Sequence, residues 1–399
     1  MRILETVAQS DRASLRSPGK TRAVCGLPPS YPSRVEIDLA ALAANVRWIK
    51  ARVGRRAAIM AVVKANAYGH GAPAVARTAL GAGADMLAVA NLAEAFELRD
   101  CGVDAPILAL SHAPLDRMQD AAAHDIAVSV YDSVIAEQCI AVAKGSSERL
   151  KVHVKVDTGM GRLGLMPLAA EAVCGHLRRA ANINLEGIYT HFATADDDPT
   201  YMRRQLATFK TVLRQLAEGG LHFKYIHAGN SAALLNCDEA YFNVVRPGVL
   251  LYGLEPMPNS GCAESLQPVM SWKTRAVQVK SLPPDTPVGY GNAYRTRGEE
   301  TIAILPVGYA DGLRRAPETW REVLIRGQRA PLVGRVSMEK ITVNVSHIAD
   351  VKVGDEAVLL GRQGADRISA DEIAGWIRSN NYEVVTTIAP RLPRAYLDG

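Results

Sequence analysis

The sequence predicts an α/β protein, a closed (β/α)8 barrel of the TIM type followed by a mostly β C-terminal domain. Eight short apolar runs alternate with alanine-rich amphipathic segments, which is typical of a parallel sheet with helices on both faces. The number eight favours a closed barrel over an open sheet. Beyond about residue 265 the pattern changes to alternating strands separated by Gly/Pro turns, which indicates a second domain.

The barrel strands are expected at apolar runs that end on small, polar or charged residues. In chain order these are AIMAVVK (58–64), MLAVA (86–90), PILAL (106–110), IAVSV (126–130), KVHVKV (151–156), LEGIYTH (185–191), YIHAG (225–229) and NVVRPG (243–248). A helix is expected before the first of them, because apolar residues from Leu39 to Val53 share one stripe and Gly54 follows. Another helix should begin at Asp198, which is followed by Pro199.

The C-terminal part is expected to consist mainly of strands. The candidate segments are RAVQVKSL, TIAILPVG, EVLIRGQRAPLVG, KITVNV, EAVLLG and, last, EVVTTIA. One helix should begin at the capping box formed by Ser369 and Glu372. We therefore expect a disordered extension over residues 1–33, a (β/α)8 barrel over 34–265 and a β-rich domain over 266–399.

Composition excludes several classes of protein. The net charge is +5, but basic and acidic residues are interspersed, and no basic block of the kind used by nucleic-acid-binding proteins occurs. The six cysteines form no C-x-x-C pair, which argues against a metal cluster or a disulfide framework. No apolar run approaches the ~18 residues of a membrane span, and no secretion signal is evident. We expect a cytoplasmic protein without a nucleic-acid or membrane partner and without a metal.

Polar and glycine residues at the strand ends should converge on the barrel mouth, where ligands bind in this fold. Lys64 ends the first strand, and a lysine in that position serves either a structural ion pair or, with a lowered pKa, Schiff-base chemistry. Ser231 and the backbone N–H groups near Gly248 and Val249 form a candidate phosphate site, to which Tyr68 could add a hydroxyl. A lysine beside a phosphate site is what pyridoxal 5′-phosphate requires.

Eight segments make a family resemblance specific. They are VVKANAYGHG, KVDTGMGRLG, EGIYTHFATAD, GNSAALL, VVRPGVLLYG, PVGYGNAY, PVGYADG and VGRVSMEKITV. These segments occur in the same order in the alanine racemases, bacterial enzymes with a barrel and a β domain. The chain resembles that family over about residues 34 to 397. The resemblance implies pyridoxal 5′-phosphate as cofactor, interconversion of L- and D-alanine, and a homodimer whose subunits share each active site.

The resemblance also implies two bases. Lys64 would hold the cofactor and exchange the α-proton on one face, and Tyr290 of the second subunit would act on the other. Inversion at one carbon requires a base on each face. Arg246 would face the pyridine nitrogen, and because a guanidinium only donates, that nitrogen would stay unprotonated and the ring would be a weaker electron sink.

Further roles follow from the same resemblance. Arg162 would bind the substrate carboxylate together with the backbone N–H of Met338 from the second subunit. Lys155 matches a position that is carbamylated in many members, and Tyr309 would line the substrate entrance. The remaining cofactor contacts would be Tyr68, His191, Asn230, Ser231, Gly248 and Val249. Purely structural roles are the alternatives for three of these residues. Lys155 could be unmodified and paired with an acid, His191 could belong to the core, and Tyr290 could pack at an interface.

Two departures from the family pattern bear on specificity. The chain has Ala389-Pro390-Arg391 where Ser-Tyr-Arg is common, so a phosphate ligand and an entrance wall are missing, and Glu339 replaces the usual Asp. Pro390 therefore raises the alternative of a racemase with broader specificity. A decarboxylase would carry Glu-Pro-Gly where this chain has Arg246-Pro247-Gly248. A non-catalytic cofactor-binding protein would lack the domain expected over residues 266–399.

Overall fold

The structure is a computed structural model that describes residues 32–144, 148–257, 260–262 and 264–398. All but the last two residues of the expected extension over 1–33 lie outside the described residues. The strands of the first half are β1 (Arg34–Asp38), β2 (Ala58–Val62), β3 (Met86–Val89), β4 (Ile107–Ala109), β5 (Ile126–Val130), β6 (Leu150–Lys155), β7 (Ile183–Tyr189), β8 (Tyr225–His227) and β9 (Val244–Val245). The helices there are α1 (Leu39–Val53), α2 (Lys64–Tyr68), α3 (Ala72–Gly81), α4 (Leu92–Asp100), α5 (Met118–Ala123), α6 (Ser133–Ala143), α7 (Ala170–Arg179), α8 (Pro199–Glu218) and α9 (Ser231–Asn236).

Strands β2 to β9 close into a barrel in sequence order, and each neighbouring pair is parallel. This confirms the predicted (β/α)8 architecture. A small apolar cluster that includes Met60, Met86, Leu108 and Val244 is separate from the main core, to which the buried residues of the helices belong. The barrel therefore has a packed interior, and the polar residues at the carboxyl ends of its strands share one mouth.

The second half continues with β10 (Met270–Arg275), β11 (Gln278–Leu282), β12 (Pro287–Val288), β13 (Tyr294–Arg295), β14 (Glu300–Leu305), β15 (Glu322–Ile325), β16 (Gln328–Pro331), β17 (Ile341–Asn344), β18 (Glu356–Gln363), β19 (Asp366–Ile368) and β20 (Arg394–Leu397). Its helices are α10 (Ala370–Ile377) and α11 (Asn381–Thr386). A seven-stranded sheet has the order β16-β15-β18-β10-β1-β20 with β19 on β18, and β11-β14-β17 and β12-β13 form smaller sheets. The C-terminal domain is thus mostly β, as predicted.

The first described strand belongs to the sheet of the C-terminal half. We assigned residues 34–265 to the barrel domain, but β1 pairs antiparallel with β10 and parallel with β20. Its side chains alternate between buried and half-buried, so one face of the strand packs against the core while its backbone pairs on both edges. Asp38 then accepts a hydrogen bond from the Ala41 N–H at 2.8 Å and begins α1, which leads into the barrel.

The prediction of a last strand at EVVTTIA was wrong, because most of that segment is α11. Asn380 caps the helix by accepting from the backbone N–H of Glu383 at 2.9 Å. Val384, Val385 and Ile388 are buried at a helical spacing, so their β-branched side chains pack against the core without forming a strand. Among the described residues, no helix is both long and apolar enough to cross a membrane.

Candidate active site at the barrel mouth

A cavity of about 630 Å³ lies at the carboxyl ends of the barrel strands. Four cationic side chains line it, from Lys64, Lys155, Arg162 and Arg246. Within the described ranges, no carboxylate forms an ion pair with any of them. Four cations without direct counter-charges around one cavity are suited to an anionic ligand.

Lys64 begins a single turn of left-handed helix. The next four residues, Ala65 to Tyr68, have φ between 52° and 54°, although none of them is glycine. An L-residue in this conformation costs about 1–2 kcal/mol, so the turn persists only because its surroundings fix it. The turn directs the chain away from the strand immediately after the lysine, where the sequence suggested only a strand end.

Hydrogen bonds from several elements hold this turn. The Ala65 N–H donates to Glu94 at 2.6 Å, and Asn66 Oδ1 accepts from the Ala72 N–H at 2.8 Å. The buried His70 ring bonds through Nδ1 to the carbonyl oxygens of Ala67 and Tyr68. The strained segment is thus tied to α4 and α3, which places the Lys64 side chain in the cavity.

Burial and neighbouring cations lower the pKa of the Lys64 amine. Burial is the larger cause, followed by Arg162, while Glu94 opposes the shift and Arg246 adds to it. Lys155 lies in the same field, and burial followed by Arg162 and Arg246 lowers its pKa to about 8. Both amines are therefore easier to deprotonate than free lysine, and only the unprotonated amine is a nucleophile.

Arg246 is fully buried and held by hydrogen bonds in fixed directions. Its guanidinium donates to the carbonyls of Thr190 at 2.8 Å and Ala228 at 3.1 Å, and to His227 Nδ1 at 2.9 Å. His191 Nδ1 lies 3.3 Å from the same group. Burial lowers the pKa of Arg246 to about 10, so the side chain remains a cation and a donor near neutral pH.

The candidate phosphate site is a narrow cradle of small groups. The Gly248 N–H donates to Ser231 Oγ at 2.9 Å, and Asn230 caps α9 through the Ala233 N–H. A Cβ on Gly248 would lie 2.7 Å from Tyr68 Oη, so only glycine leaves this approach open. Burial raises the pKa of Tyr68 to about 12, which keeps its hydroxyl protonated and able to donate.

Arg162 projects from a loop that is organised by one carboxylate. Asp157 accepts from the backbone N–H groups of residues 159 to 162, at 2.8 to 3.2 Å. Burial would raise the pKa of Asp157, but these four donors outweigh it and the pKa is lowered. The glycines of DTGMGR let the loop fold tightly around the carboxylate and bring Arg162 to the cavity.

The structure brings ten of the thirteen candidate residues together, and three lie elsewhere. Lys64, Tyr68, Lys155, Arg162, His191, Asn230, Ser231, Arg246, Gly248 and Val249 line the cavity. Tyr290, Tyr309 and Met338 are 64%, 40% and 55% exposed on the C-terminal domain and do not line the cavity of their own chain. Tyr309 and Met338 are neighbours, because the Tyr309 N–H donates to the Ser337 carbonyl and the Ala310 N–H to that of Met338.

The sequence analysis missed several cavity residues. Tyr189 lies two positions before the end of the LEGIYTH motif, and its place at the carboxyl end of β7 could have marked it as a candidate. Tyr382 reaches the cavity from α11, and its hydroxyl donates to the Pro256 carbonyl at 3.1 Å. Tyr382 directly precedes the segment that was expected to be a strand, and no local pattern indicated that it would reach the cavity.

The two departures from the family pattern have different structural contexts. Pro390 is exposed and does not line the cavity. Arg391 donates to Asp311 at 2.8 Å and to Glu339 at 3.1 Å, so the longer acid at position 339 still forms an ion pair. The Glu339 departure is therefore accommodated locally.

A barrel whose strand-end lysine faces a phosphate cradle, followed by a β domain, defines a class of pyridoxal phosphate-binding enzymes. Comparison with known families makes the assignment more specific. Residues 37–256 match the N-terminal domain and residues 269–396 the C-terminal domain of alanine racemase. The chain belongs to the alanine racemase family, which confirms the resemblance found in its motifs.

Individual relatives cover nearly the whole chain. An alanine racemase of Desulforamulus reducens is 44% identical over 92% of this chain and 99% of its own length. One from Methanococcus maripaludis is 41% identical over 92% of this chain and 99% of its own. The crystal structure of the Bacillus anthracis alanine racemase with bound L-Ala-P superposes with a TM-score of 0.88 at 39% identity, over 94% of this chain and 97% of that one.

Proposed function

We propose that this protein interconverts L- and D-alanine with pyridoxal 5′-phosphate as its cofactor. Membership of the alanine racemase family supports the proposal. The observation that carries it is the cavity with four cations, Lys64, Lys155, Arg162 and Arg246, none of them directly paired with an acid in the part of the chain described here. A cofactor phosphate and a substrate carboxylate would supply negative charges for this site, and carbamylation would turn Lys155 itself into a further one.

The residues present fit this cofactor. Ser231, the backbone near Gly248 and Val249, and the Tyr68 hydroxyl would hold its phosphate, where the absent Cβ of Gly248 leaves space. Arg246, which can only donate, would bind its ring nitrogen. When bound, pyridoxal phosphate withdraws electrons from the substrate α-carbon and so acidifies its C–H bond.

Lys64 would hold the cofactor and would also serve as the base that moves a proton on one face of the α-carbon. Burial lowers the pKa of Lys64, so its unprotonated amine is more accessible as a base than that of a free lysine. Arg162 binds the substrate carboxylate and thereby fixes which face is presented to Lys64. A guanidinium suits this task because it binds a carboxylate through two parallel N–H donors.

The second base is Tyr290 of the partner subunit in a homodimer. Tyr290 is exposed and remote from the cavity lining of its own chain, so each cavity needs another copy to complete it. In the same arrangement the partner subunit's Met338 donates its backbone N–H to the substrate carboxylate, and the partner subunit's Tyr309 lines the entrance. All three residues are exposed on one domain, as a surface that docks on another barrel requires.

Lys155 carries a carbamate that orients Arg162. Carbon dioxide reacts with the unprotonated amine, and the lowered pKa of about 8 makes that form accessible. Incubation with 13C-labelled bicarbonate should give a carbamate carbon signal in the wild-type protein and none in Lys155→Met. Absence of the signal from an active wild-type protein would leave Lys155 an unmodified barrel lysine.

A single solution experiment tests the main proposal. The purified protein with added pyridoxal phosphate should convert either enantiomer of alanine to the racemate and exchange the α-hydrogen for solvent deuterium. A decarboxylase would release carbon dioxide, and a non-catalytic cofactor-binding protein would show the cofactor absorbance without either reaction. Failure to change alanine chirality in a cofactor-loaded dimer would refute the proposal.

A further inference from the structure

A row of buried polar side chains extends from Arg246 into the barrel interior. The Arg246 guanidinium lies 2.9 Å from His227 Nδ1, and His227 Nε2 lies 2.9 Å from His153 Nδ1. His153 Nε2 lies 3.4 Å from Glu186 Oε1. Arg246, His227 and His153 are at most 4% exposed and Glu186 is 8% exposed. The four side chains therefore form a hydrogen-bonded relay shielded from water.

The chemistry of its two ends fixes the direction of this relay. Arginine only donates, so His227 Nδ1 accepts and the His227 proton is on Nε2. His153 Nδ1 must then accept, and the remaining N–H of His153 donates to Glu186. An ionised carboxylate only accepts hydrogen bonds, so Glu186 at the other end is consistent with the same donor-to-acceptor direction. Burial, the largest cause, lowers the pKa of both histidines and keeps them neutral.

The barrel is built to make room for this relay. A Cβ on Gly187 would lie 2.2 Å from His153 Nδ1, so the imidazole occupies the space of the missing side chain. The register of β6 and β7 shifts between Val152 and His153, which leaves Glu186 as an extra residue on β7. A bulge of this kind re-aims a side chain, and here it accompanies the contact from Glu186 to His153.

Aromatic rings fix the two imidazoles from their faces. Tyr189 stacks on His227 with ring centroids 4.7 Å apart and an interplanar angle of 8°. Tyr225 stacks on His153 at 5.6 Å and 17°. Each imidazole is thus held both in its plane, by hydrogen bonds, and across its plane, by a tyrosine ring.

We propose that His153 and Glu186 are positioning residues that act through His227 to hold Arg246 against the cofactor ring. The inference rests on the place of Arg246 in the proposed function. Arg246 has no carboxylate in direct contact within the described residues, and Glu186 supplies its counter-charge through two neutral rings. The relay also keeps Nδ1 of His227, its acceptor, turned toward the Arg246 guanidinium. The guanidinium therefore does not rotate, and its N–H donors stay directed at the cavity.

Two substitutions at His153 separate positioning from packing. His153→Phe keeps a ring in the slot beside Gly187 but removes both nitrogens, whereas His153→Gln keeps one acceptor and one donor. We expect His153→Phe to weaken pyridoxal phosphate affinity about ten-fold and to lower kcat about ten-fold. The reason is that His227, which holds Arg246, loses its buried hydrogen bond to residue 153. KM for alanine at saturating cofactor should stay within about two-fold, since Arg162 is untouched, and His153→Gln should recover most of both losses.

Thr274→Val is the matched control. It removes a buried hydroxyl on β10, in the C-terminal sheet, that contacts Ser33 Oγ at 2.7 Å, and Thr274 contacts neither the relay nor the cavity. It should lower thermal stability and leave cofactor affinity unchanged. Equal losses of affinity in Thr274→Val and His153→Phe would overturn the proposal, and so would a His153→Gln protein no better than His153→Phe. If His153→Phe does not fold, His153→Leu takes its place in the same comparison.

A second measurement needs no turnover. In the 15N-histidine-labelled holoenzyme at neutral pH, His227 and His153 should each carry their proton on Nε2 and have a bare Nδ1. A proton on Nδ1 of either ring would overturn the relay. A wild-type protein that binds the cofactor but does not racemise alanine would refute the proposed function, whereas an active wild-type protein with relay variants as active as itself would refute only this inference.

Discussion

The left-handed turn after Lys64 makes an unusual mutational prediction at Ala65. This residue is exposed and has φ 53°, so its methyl group contributes strain without contributing buried area. Removing Cβ by Ala65→Gly relieves about 1–2 kcal/mol of left-handed strain. The more flexible unfolded chain offsets about 0.4–1 kcal/mol of that gain. We expect Ala65→Gly to be neutral or to stabilise the protein by up to about 1.6 kcal/mol, the difference of these two effects.

Ala65→Val should have the opposite effect. A β-branched side chain is a conformational outlier at positive φ, so we expect a loss of at least about 1 kcal/mol. Ala51 provides the matched control, because it is also exposed but lies in the regular helix α1. There Gly should cost about 0.8–1.0 kcal/mol and Val at most about 0.7 kcal/mol. We therefore expect Val to be the more destabilising substitution at position 65 and Gly to be the more destabilising one at position 51.

The free energies of unfolding would be measured by urea denaturation of all four variants, in parallel with and without pyridoxal phosphate. Titration of each variant with the cofactor shows whether the turn still presents Lys64 correctly, and Ala65→Val should bind it more weakly than Ala65→Gly. If Gly proves more destabilising than Val at position 65, as expected at position 51, the backbone after Lys64 is not left-handed and the argument for stored strain fails.

Further outcomes follow from the site. Lys64→Ala should lose both the absorbance of the lysine-bound cofactor and racemisation; a borohydride-reducible adduct that survives in this variant would contradict its role. Mixing inactive Lys64→Ala and Tyr290→Ala chains should restore part of the activity, because one site of a mixed dimer then has both bases, and no recovery despite demonstrated subunit exchange would argue against shared sites. In buffer free of carbon dioxide, the folded protein releases the Lys155 proton near its pKa of about 8 and the unfolded chain near the ordinary 10.5. Since the unfolded chain then binds more protons, the wild-type free energy of unfolding should rise relative to Lys155→Met between these pH values, and a flat difference would contradict the lowered pKa. Pro390→Tyr should reduce the ratio of serine to alanine racemisation and tighten cofactor binding by about 0.5–1.5 kcal/mol, the worth of a hydrogen bond; an unchanged ratio and affinity would show that another residue already fills this place.

The sequence alone predicted the barrel, the β domain and most of the cavity. Buried parallel strands are short, apolar and regularly spaced, so their number and their carboxyl ends can be read directly. Because ligands collect at those ends, Lys64, Arg162, Ser231 and Arg246 could be assigned to one mouth before any contact was known. The motifs that carry the family resemblance are themselves these strand ends and the loops that follow them.

Other features depend on residues far apart in the chain, and the tertiary structure decided them. The pairing of β1 with β10 and β20 joins segments more than 200 residues apart, and no local pattern specifies such partners. Most of the last predicted strand became α11, because burial of Val384, Val385 and Ile388 at a helical spacing overrode their β propensity.

The left-handed turn and the relay behind Arg246 show the same division most clearly. Local preference disfavours Ala65 to Tyr68 in that conformation, and only contacts from Glu94 and His70 make it stable. His153 and Glu186 look in the sequence like isolated polar residues within apolar strands, and a bulge and a missing Cβ at Gly187 are needed to align them. The sequence therefore determined the barrel strands and where their carboxyl ends lie. The type of the last element, the partners of β1, the strained backbone and the buried hydrogen-bond geometry were decided by tertiary contacts, because their energies come from groups that meet only in the folded chain.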